Sequence, residues 1–173
     1  MKQTTIAIIG TGVVGERIIN QALQHPTYTI VAIYDENKER LEQMATKYKV
    51  KATETLEELL DTNADWVYIG TPPVSHAPLT EVIAARGLNI LSEKPLAHDA
   101  EDGERMVKAA ADANVLTAMH FPMMYSPAVN DVKAMLASGE LGDIKRVELH
   151  TYFPHWPRPW QQNPWIASRE QGG

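Results

Sequence analysis

The chain has 173 residues, of which 44% are hydrophobic and 22% are charged, and it contains no cysteine. This length suits one ordinary domain with part of a second, because single domains commonly run to about 100–150 residues. The hydrophobic share excludes a disordered chain, and the lack of cysteine excludes disulfides, thiolate nucleophiles and cysteine-ligated metals. A net charge of −6 gives no electrostatic footprint for nucleic acid or an anionic membrane, so we expect neither as a partner.

The first residues of the chain carry no targeting signal. Residues 1–5 lead directly into an apolar run without an h-region or a small-residue cleavage site, and no apolar run approaches the ~20 residues of a membrane span. We therefore expect a soluble protein of the reducing cytoplasm.

Five short apolar runs, each bounded by turn residues, divide the first 120 residues. They are apolar at successive positions, which is typical of strands buried on both faces of a parallel sheet. Segments with helical spacing lie between them, for example Leu41, Met44, Ala45 and Tyr48. The alternation predicts an α/β fold, a doubly wound parallel sheet of the Rossmann type, over residues 1–120. The predicted strands are residues 5–9, 29–33, 66–69, 89–91 and 115–119.

A different pattern follows residue 120. Residues 128–137 have helical spacing, and residues 145–153 alternate apolar with polar side chains, as in a strand with one buried face. Tryptophan and proline then cluster between Tyr152 and Trp165, as in a connecting segment. Residues 121–173 are therefore predicted to begin a second, α+β domain that is truncated at Gly173.

The motif Gly10-Thr11-Gly12-Val13-Val14-Gly15 follows the first predicted strand and opens the first helix. In that context the first glycine permits a tight turn, the second lets the backbone approach a pyrophosphate, and the third allows close helix–strand packing. A tight strand–helix turn without a ligand would also explain the glycines. A methyltransferase is a further alternative, which the third glycine disfavours.

Asp35 ends the second predicted strand, about 20 residues after Gly15. A carboxylate there accepts hydrogen bonds from the ribose 2′-hydroxyl of NAD and repels the 2′-phosphate of NADP. The motif therefore predicts a dinucleotide cofactor, NAD in preference to NADP. A solvated turn residue is the alternative for Asp35 alone.

Two other strand ends carry polar and proline-containing turns, Thr71-Pro72-Pro73 with His76, and Glu93-Lys94-Pro95. Together with the glycine motif, they resemble the Gfo/Idh/MocA oxidoreductases, the glucose–fructose oxidoreductase and inositol dehydrogenase group. The resemblance covers the whole chain, since residues 141–144 are similar to that family's entry into its second domain. It implies hydride transfer between a nicotinamide cofactor and a hydroxyl-bearing carbon of a sugar, a polyol or a derivative.

By position, the resemblance implies that Lys94 is the active-site lysine and that Glu93 borders the nicotinamide side of the cofactor. A lysine can hold the substrate oxygen or relay its proton, and Pro95 can fix the turn through a cis bond. An exposed turn lysine is the alternative for Lys94, and helix capping is the alternative for His76. The predicted cofactor contacts are Gly10, Thr11, Gly12, Val13, Val14, Gly15, Asp35, Thr71, Pro72, Pro73, His76, Glu93 and Lys94.

The sequence departs from the family pattern in three places. Met123 and Met124 replace a basic residue before Pro127, Pro73 replaces an asparagine, and the chain ends before the acid and the histidine that complete the family's catalytic group. The chain is therefore expected to bind cofactor but to turn over little alone, with homo-oligomer contacts and the substrate pocket in the second domain. A stand-alone dinucleotide-binding regulatory module is the competing hypothesis. No His, Asp or Glu spacing suggests a metal site, and His120 is assigned a structural role ahead of a catalytic one.

Overall fold

The computed structural model describes residues 3–155 and 164–172. The strands are β1 (Thr4–Ile9), β2 (Tyr28–Tyr34), β3 (Trp66–Ile69), β4 (Asn89–Glu93) and β5 (Thr117–His120). The α-helices are α1 (Val13–Gln24), α2 (Lys38–Tyr48), α3 (Leu56–Leu60), α4 (His76–Ala85), α5 (Ala100–Asp112) and α6 (Pro127–Ser138). Short 3₁₀ helices occupy Pro73–Ser75, Pro122–Tyr125, Pro164–Ala167 and Arg169–Gln171.

The five strands form one parallel sheet in the order β2-β1-β3-β4-β5, which confirms the predicted Rossmann-type fold. The chain moves from β1 to one side of the sheet and then returns to the other side at β3. The strand order therefore reverses between β1 and β3, and ligands of such sheets bind outside the carboxyl ends of the strands at that point.

Both faces of the sheet are covered at β1 to β4, which explains why these strands are apolar at successive positions. In β1, Ala7 and Ile9 belong to one core cluster with β3, β4 and α4, whereas Ile6 and Ile8 belong to the opposite cluster with α1 and α2. Strand residues on alternate positions thus enter two different cores.

Side-chain caps begin several of the helices. Asn37, Thr55, Asp99 and Ser126 each accept a hydrogen bond from a backbone N–H in the first turn of α2, α3, α5 and α6. The helix predicted for residues 128–137 is α6. Helix α1 differs, because its N-cap residue is Gly12 and no side chain caps it.

The predicted strand at residues 145–153 is wrong, since these residues have no regular secondary structure and are exposed. The apolar–polar alternation describes a strand only if a neighbouring strand accepts its hydrogen bonds, and the described residues provide no such neighbour. Most of the Trp/Pro-rich stretch, residues 156–163, lies outside the described residues.

The chain divides into two compact units, Met1–His120 with Pro164–Gly173, and Phe121–Asn163. The first contains the sheet and both core clusters, and the second contains α6, which buries none of its residues. In the described part of the chain, no helix is both long enough and apolar enough to cross a membrane.

Candidate cofactor site at the carboxyl edge of the sheet

In the turn between β1 and α1, the space beside Gly10 and Gly15 is filled by backbone, whereas the space beside Gly12 is open. Gly10 has φ +88°, and a Cβ on it would lie 2.8 Å from the carbonyl carbon of Gly70, which follows β3. A Cβ on Gly15 would lie 1.9 Å from the Gly10 oxygen, so no side chain fits there. A Cβ on Gly12, in contrast, would meet nothing within 4 Å.

The open side of this turn suits an anionic group. The first N–H groups of α1 have no partner within the helix, and no side chain caps them. A helix N-terminus attracts negative charge, and a glycine at its edge lets a bulky group reach the backbone. This cradle fits the pyrophosphate of a dinucleotide.

Asp35, just beyond β2, is bonded to the glycine turn. Its Oδ2 accepts from the Thr11 backbone N at 2.6 Å and from the Thr11 hydroxyl at 2.9 Å, and its Oδ1 accepts from the Asn37 backbone N at 2.9 Å. A carboxylate accepts about four hydrogen bonds. One acceptor position on Oδ1 therefore remains for a ribose hydroxyl.

Glu16 of α1 stands beside this arrangement and binds three side chains of α2. It accepts from Lys47 Nζ at 2.7 Å, from Arg40 Nη2 at 2.5 Å and from the Tyr48 hydroxyl at 3.0 Å. The hydrogen bond from Lys47, followed by those from Arg40 and Tyr48, lowers the pKa of Glu16 to about 2, against the opposing effect of burial. Glu16 is therefore ionised at neutral pH.

His76 lies between the two turns that the sequence assigned to the cofactor path. The side chain is fully buried, with Nε2 2.9 Å from the Thr71 carbonyl oxygen and Nδ1 3.1 Å from those of Pro95 and Leu96. This placement favours a role in holding the two turns together over direct contact with a cofactor. The hydroxyl of Ser75 further ties the first turn, by bonds to the Thr71 hydroxyl and the Pro72 carbonyl.

A buried hydrogen-bonded group forms where β3, β4 and β5 end. Glu93 is only 6% exposed, and its Oε1 accepts from the Tyr68 hydroxyl at 2.8 Å and lies 2.5 Å from His120 Nδ1. Burial, with the nearby Glu93 carboxylate, raises the pKa of Tyr68, so the phenol stays protonated and donates. These contacts hold the Glu93 carboxylate in place.

Tyr68 is not among the site residues predicted from the sequence. A tyrosine inside an otherwise apolar strand was the one available signal, because a buried phenol needs a hydrogen-bond partner. Its partner Glu93 could not be found without the strand order that makes β3 and β4 neighbours.

Lys94 follows this group and is exposed, in contrast to Glu93. Its backbone N donates to Glu93 Oε2 at 3.3 Å, and the Lys94–Pro95 peptide bond is cis, as the sequence suggested. The lysine is therefore presented at the carboxyl edge of the sheet while its neighbour is anchored below it.

The C-terminal described residues contact the same edge. A Cβ on Gly172, whose φ is +84°, would lie 2.7 Å from Pro73 Cβ, and His98 Nε2 lies 3.0 Å from the Arg169 carbonyl oxygen. The segment thus packs against the buried Pro73. No local sequence pattern indicates this contact, because Pro73 and Gly172 are nearly a hundred positions apart.

One imidazole nitrogen of His98 and one carboxylate oxygen each of Asp99 and Asp102 lie within 4.8 Å of one another. Their contacts are those of a helix start, since the Asp102 backbone N–H bonds to Asp99 and holds the pKa of that carboxyl below its usual range. Asp102 is also paired with Arg105 at 2.8 Å. Capping and ion pairing account for this group.

The geometry can therefore hold a dinucleotide along the β1–α1 turn and present Lys94 at the same edge. The comparisons with known proteins agree with that capacity. A sequence model of the Gfo/Idh/MocA group, described as an oxidoreductase family with an NAD-binding Rossmann fold, matches residues 4–121.

Individual relatives are dehydrogenases of sugars and polyols. Glucose-6-phosphate 3-dehydrogenase of Bacillus subtilis is 26% identical over 145 residues, which are 84% of this chain and 41% of that protein. WlbA dehydrogenase of Bordetella pertussis, solved with NADH and UDP-GlcNAcA, has a TM-score of 0.76 at 28% identity, over 82% of this chain and 44% of the other. The myo-inositol 2-dehydrogenase of Lactobacillus plantarum has a TM-score of 0.76 at 26% identity, over 83% and 43%. This chain spans less than half the length of these relatives.

Proposed function

Because the chain belongs to the Gfo/Idh/MocA oxidoreductase family, we propose that it is the NAD-binding part of a dehydrogenase that acts on a hydroxyl-bearing carbon. The observation that carries this proposal is the open cradle at Gly12, flanked by two glycines that tolerate no side chain. In that cradle the N-terminus of α1 would hold the pyrophosphate. Thr11, Val13 and Val14 would border it.

NAD is the proposed cofactor in preference to NADP. Asp35 is fixed at the end of β2 by three hydrogen bonds, and its remaining acceptor position suits a ribose 2′-hydroxyl. The same negative charge disfavours a 2′-phosphate. The turn at Thr71, Pro72 and Pro73 and the Glu93 carboxylate would lie along the path toward the nicotinamide.

Lys94 is the proposed catalytic residue. When bound, the cofactor supplies the acceptor or donor of the hydride at the substrate carbon. In the oxidative direction, Lys94 in its neutral form accepts the proton that leaves the substrate hydroxyl, and it returns that proton in the reverse direction. His76 and Glu93 hold the turn on which Lys94 stands.

The proposed substrate is a sugar, a polyol or a derivative, as the names of the relatives suggest. A homo-oligomer is the proposed assembly. It is supported by the exposed apolar side chains of Val147 and Leu149, which are 82% and 87% exposed.

The test is a titration of the full chain with NADH and with NADPH. Nucleotide fluorescence and calorimetry measure the binding. We expect NADH to bind more tightly than NADPH, and the Asp35→Ser variant to narrow that preference by about tenfold, as loss of a charged hydrogen-bond acceptor would. Asp112→Ser is the matched control, because it removes the same charge from the exposed end of α5. Absence of binding to either nucleotide would contradict the proposed function.

A further inference from the structure

Arg40 is the cation whose position bears most directly on coenzyme choice. Its Nε donates to the Thr11 carbonyl oxygen at 2.8 Å, and the N and hydroxyl of the same Thr11 donate to Asp35. One residue therefore separates the guanidinium from the carboxylate expected to recognise the ribose. An arginine near that position is what accommodates the 2′-phosphate of NADP in proteins of this fold.

Glu16 forms an ion pair with this arginine. The Glu16 carboxylate lies 2.5 Å from Arg40 Nη2, and the two side chains are only 24% and 29% exposed, so solvent screens the pair weakly. We propose that Glu16 is a second determinant of coenzyme choice, which disfavours NADP by holding the Arg40 guanidinium on α1. The inference rests on the proposed function and extends it from Asp35 to a residue of the neighbouring helix.

The charges around Thr11 give the reason. Asp35 and Glu16 are balanced by Arg40 and by Lys47, whose Nζ is also bonded to Glu16 at 2.7 Å. A phosphate must compete with the Glu16 carboxylate for the planar guanidinium, which binds carboxylates and phosphates with the same donors. The other cation in the first turn of α2, Lys38, is directed elsewhere, since its Nζ donates to the Glu54 carbonyl oxygen.

In this arrangement, Asp35 alone does not determine the preference for NAD over NADP. Removing Asp35 alone removes the repulsion between its carboxylate and the 2′-phosphate of NADP. Arg40 then stays bound to Glu16 and is hardly more available to bind that phosphate. Removing Glu16 leaves Arg40 anchored to Thr11 by Nε and frees its Nη2 donor. The two acids therefore act on coenzyme choice by different routes, one by repulsion and one by holding the cation.

The experiment measures the ratio of the NADPH and NADH dissociation constants for the full chain and its variants. Glu16→Gln should shift the ratio toward NADPH by about tenfold, the effect of freeing one charged hydrogen-bond donor, and the shift should add to that of Asp35→Ser. Glu42→Gln, which removes an exposed acid of α2, is the matched control and should leave the ratio unchanged.

A double variant identifies the route. In Glu16→Gln with Arg40→Gln, the gain toward NADPH should disappear, because the cation that produces it is absent. If the gain persists, or if Glu42→Gln produces the same gain, Glu16 does not act through Arg40 and the inference is wrong.

The single variant Arg40→Gln keeps the test valid even if Glu16→Gln folds poorly. Because Glu16 already holds Arg40, the loss of the Arg40 side chain should weaken the binding of NADH and of NADPH equally, through its contact with the glycine turn. A selective loss of NADPH binding would show that Arg40 is already available, and this would overturn the inference while leaving the proposed function intact. A wild-type chain that binds neither nucleotide would overturn both.

Discussion

Gly12 and Gly15 belong to one motif but meet different physical requirements. A side chain at Gly15 would overlap the Gly10 carbonyl, which is backbone and cannot move without disturbing the β1–α1 turn. Gly12 has φ −60°, which any residue adopts, and the space around it is open. The protein's own fold therefore explains Gly15. Nothing in the described structure requires glycine at position 12, whereas the proposed dinucleotide would.

This difference predicts two distinct outcomes. Gly12→Ala should change the free energy of unfolding by less than about 1 kcal/mol, yet weaken NADH binding by about tenfold or more, because the methyl group enters the space of the pyrophosphate. Gly15→Ala should destabilise the fold by about 3 kcal/mol through steric overlap. Urea unfolding and NADH titration of both variants make the comparison, and a Gly12→Ala variant with unchanged NADH affinity would favour a turn that binds no ligand.

The positions of candidate site residues were predictable from the sequence only where chain neighbours define them. The glycine motif and Asp35 were recognisable because their spacing along the chain sets their geometry. His76 was not, since its partners Thr71, Pro95 and Leu96 come from two turns that meet only once β3 and β4 pair. The contact of Glu93 with His120 likewise depends on their being register partners in β4 and β5.

Helices α1 and α2 are joined by a charged cluster as well as by apolar packing. Glu16 of α1 meets Arg40, Lys47 and Tyr48 of α2, while Ile18, Ile19, Leu41 and Met44 share one core cluster below. The cluster fixes the second helix against the start of the first. It should therefore contribute to stability in a way that depends on the ionisation of Glu16.

The pH dependence of that contribution follows from the lowered pKa of Glu16. Its pKa is about 2 in the folded chain against an ordinary 4.5, so the unfolded chain takes up the proton first as the pH falls. Wild type should exceed Glu16→Gln by about 1–2 kcal/mol in unfolding free energy at neutral pH. This advantage should be complete above pH 4.5 and lost progressively toward pH 2. Urea unfolding at several pH values measures it, and a difference that grows on acidification would contradict the assignment.

The sequence predicted elements well where burial decides them. The runs that became β1 to β4 are apolar because two cores cover that part of the sheet, and that information is local to each strand. The edge strand β5 contributes no residue to either core cluster. Residues 145–153 have the alternation of a strand without forming one, because a strand also requires a partner and a local pattern carries no record of the partner.

Burial is distributed unevenly between the two units of the chain. The core residues lie in the first unit, whereas in the described part of the second unit Val147, Leu149 and Tyr152 are more than 80% exposed. Exposed apolar residues grouped in a segment without regular structure tend to associate. We therefore expect two copies of the chain to associate through the exposed apolar residues of the second unit.

Light scattering over a range of concentrations tests this expectation. The wild-type mass should rise above the 19.3 kDa of a single chain as the concentration increases, because association buries apolar surface that a single chain leaves in water. The double variant Val147→Lys with Leu149→Lys should stay at the single-chain mass, since two charges would have to be buried without partners. Val107→Lys, which places a charge at an exposed apolar position of α5, should behave as wild type. A wild-type chain that keeps the single-chain mass at every concentration would contradict the proposed homo-oligomer, whereas association that survives the double variant would place the contact on another surface.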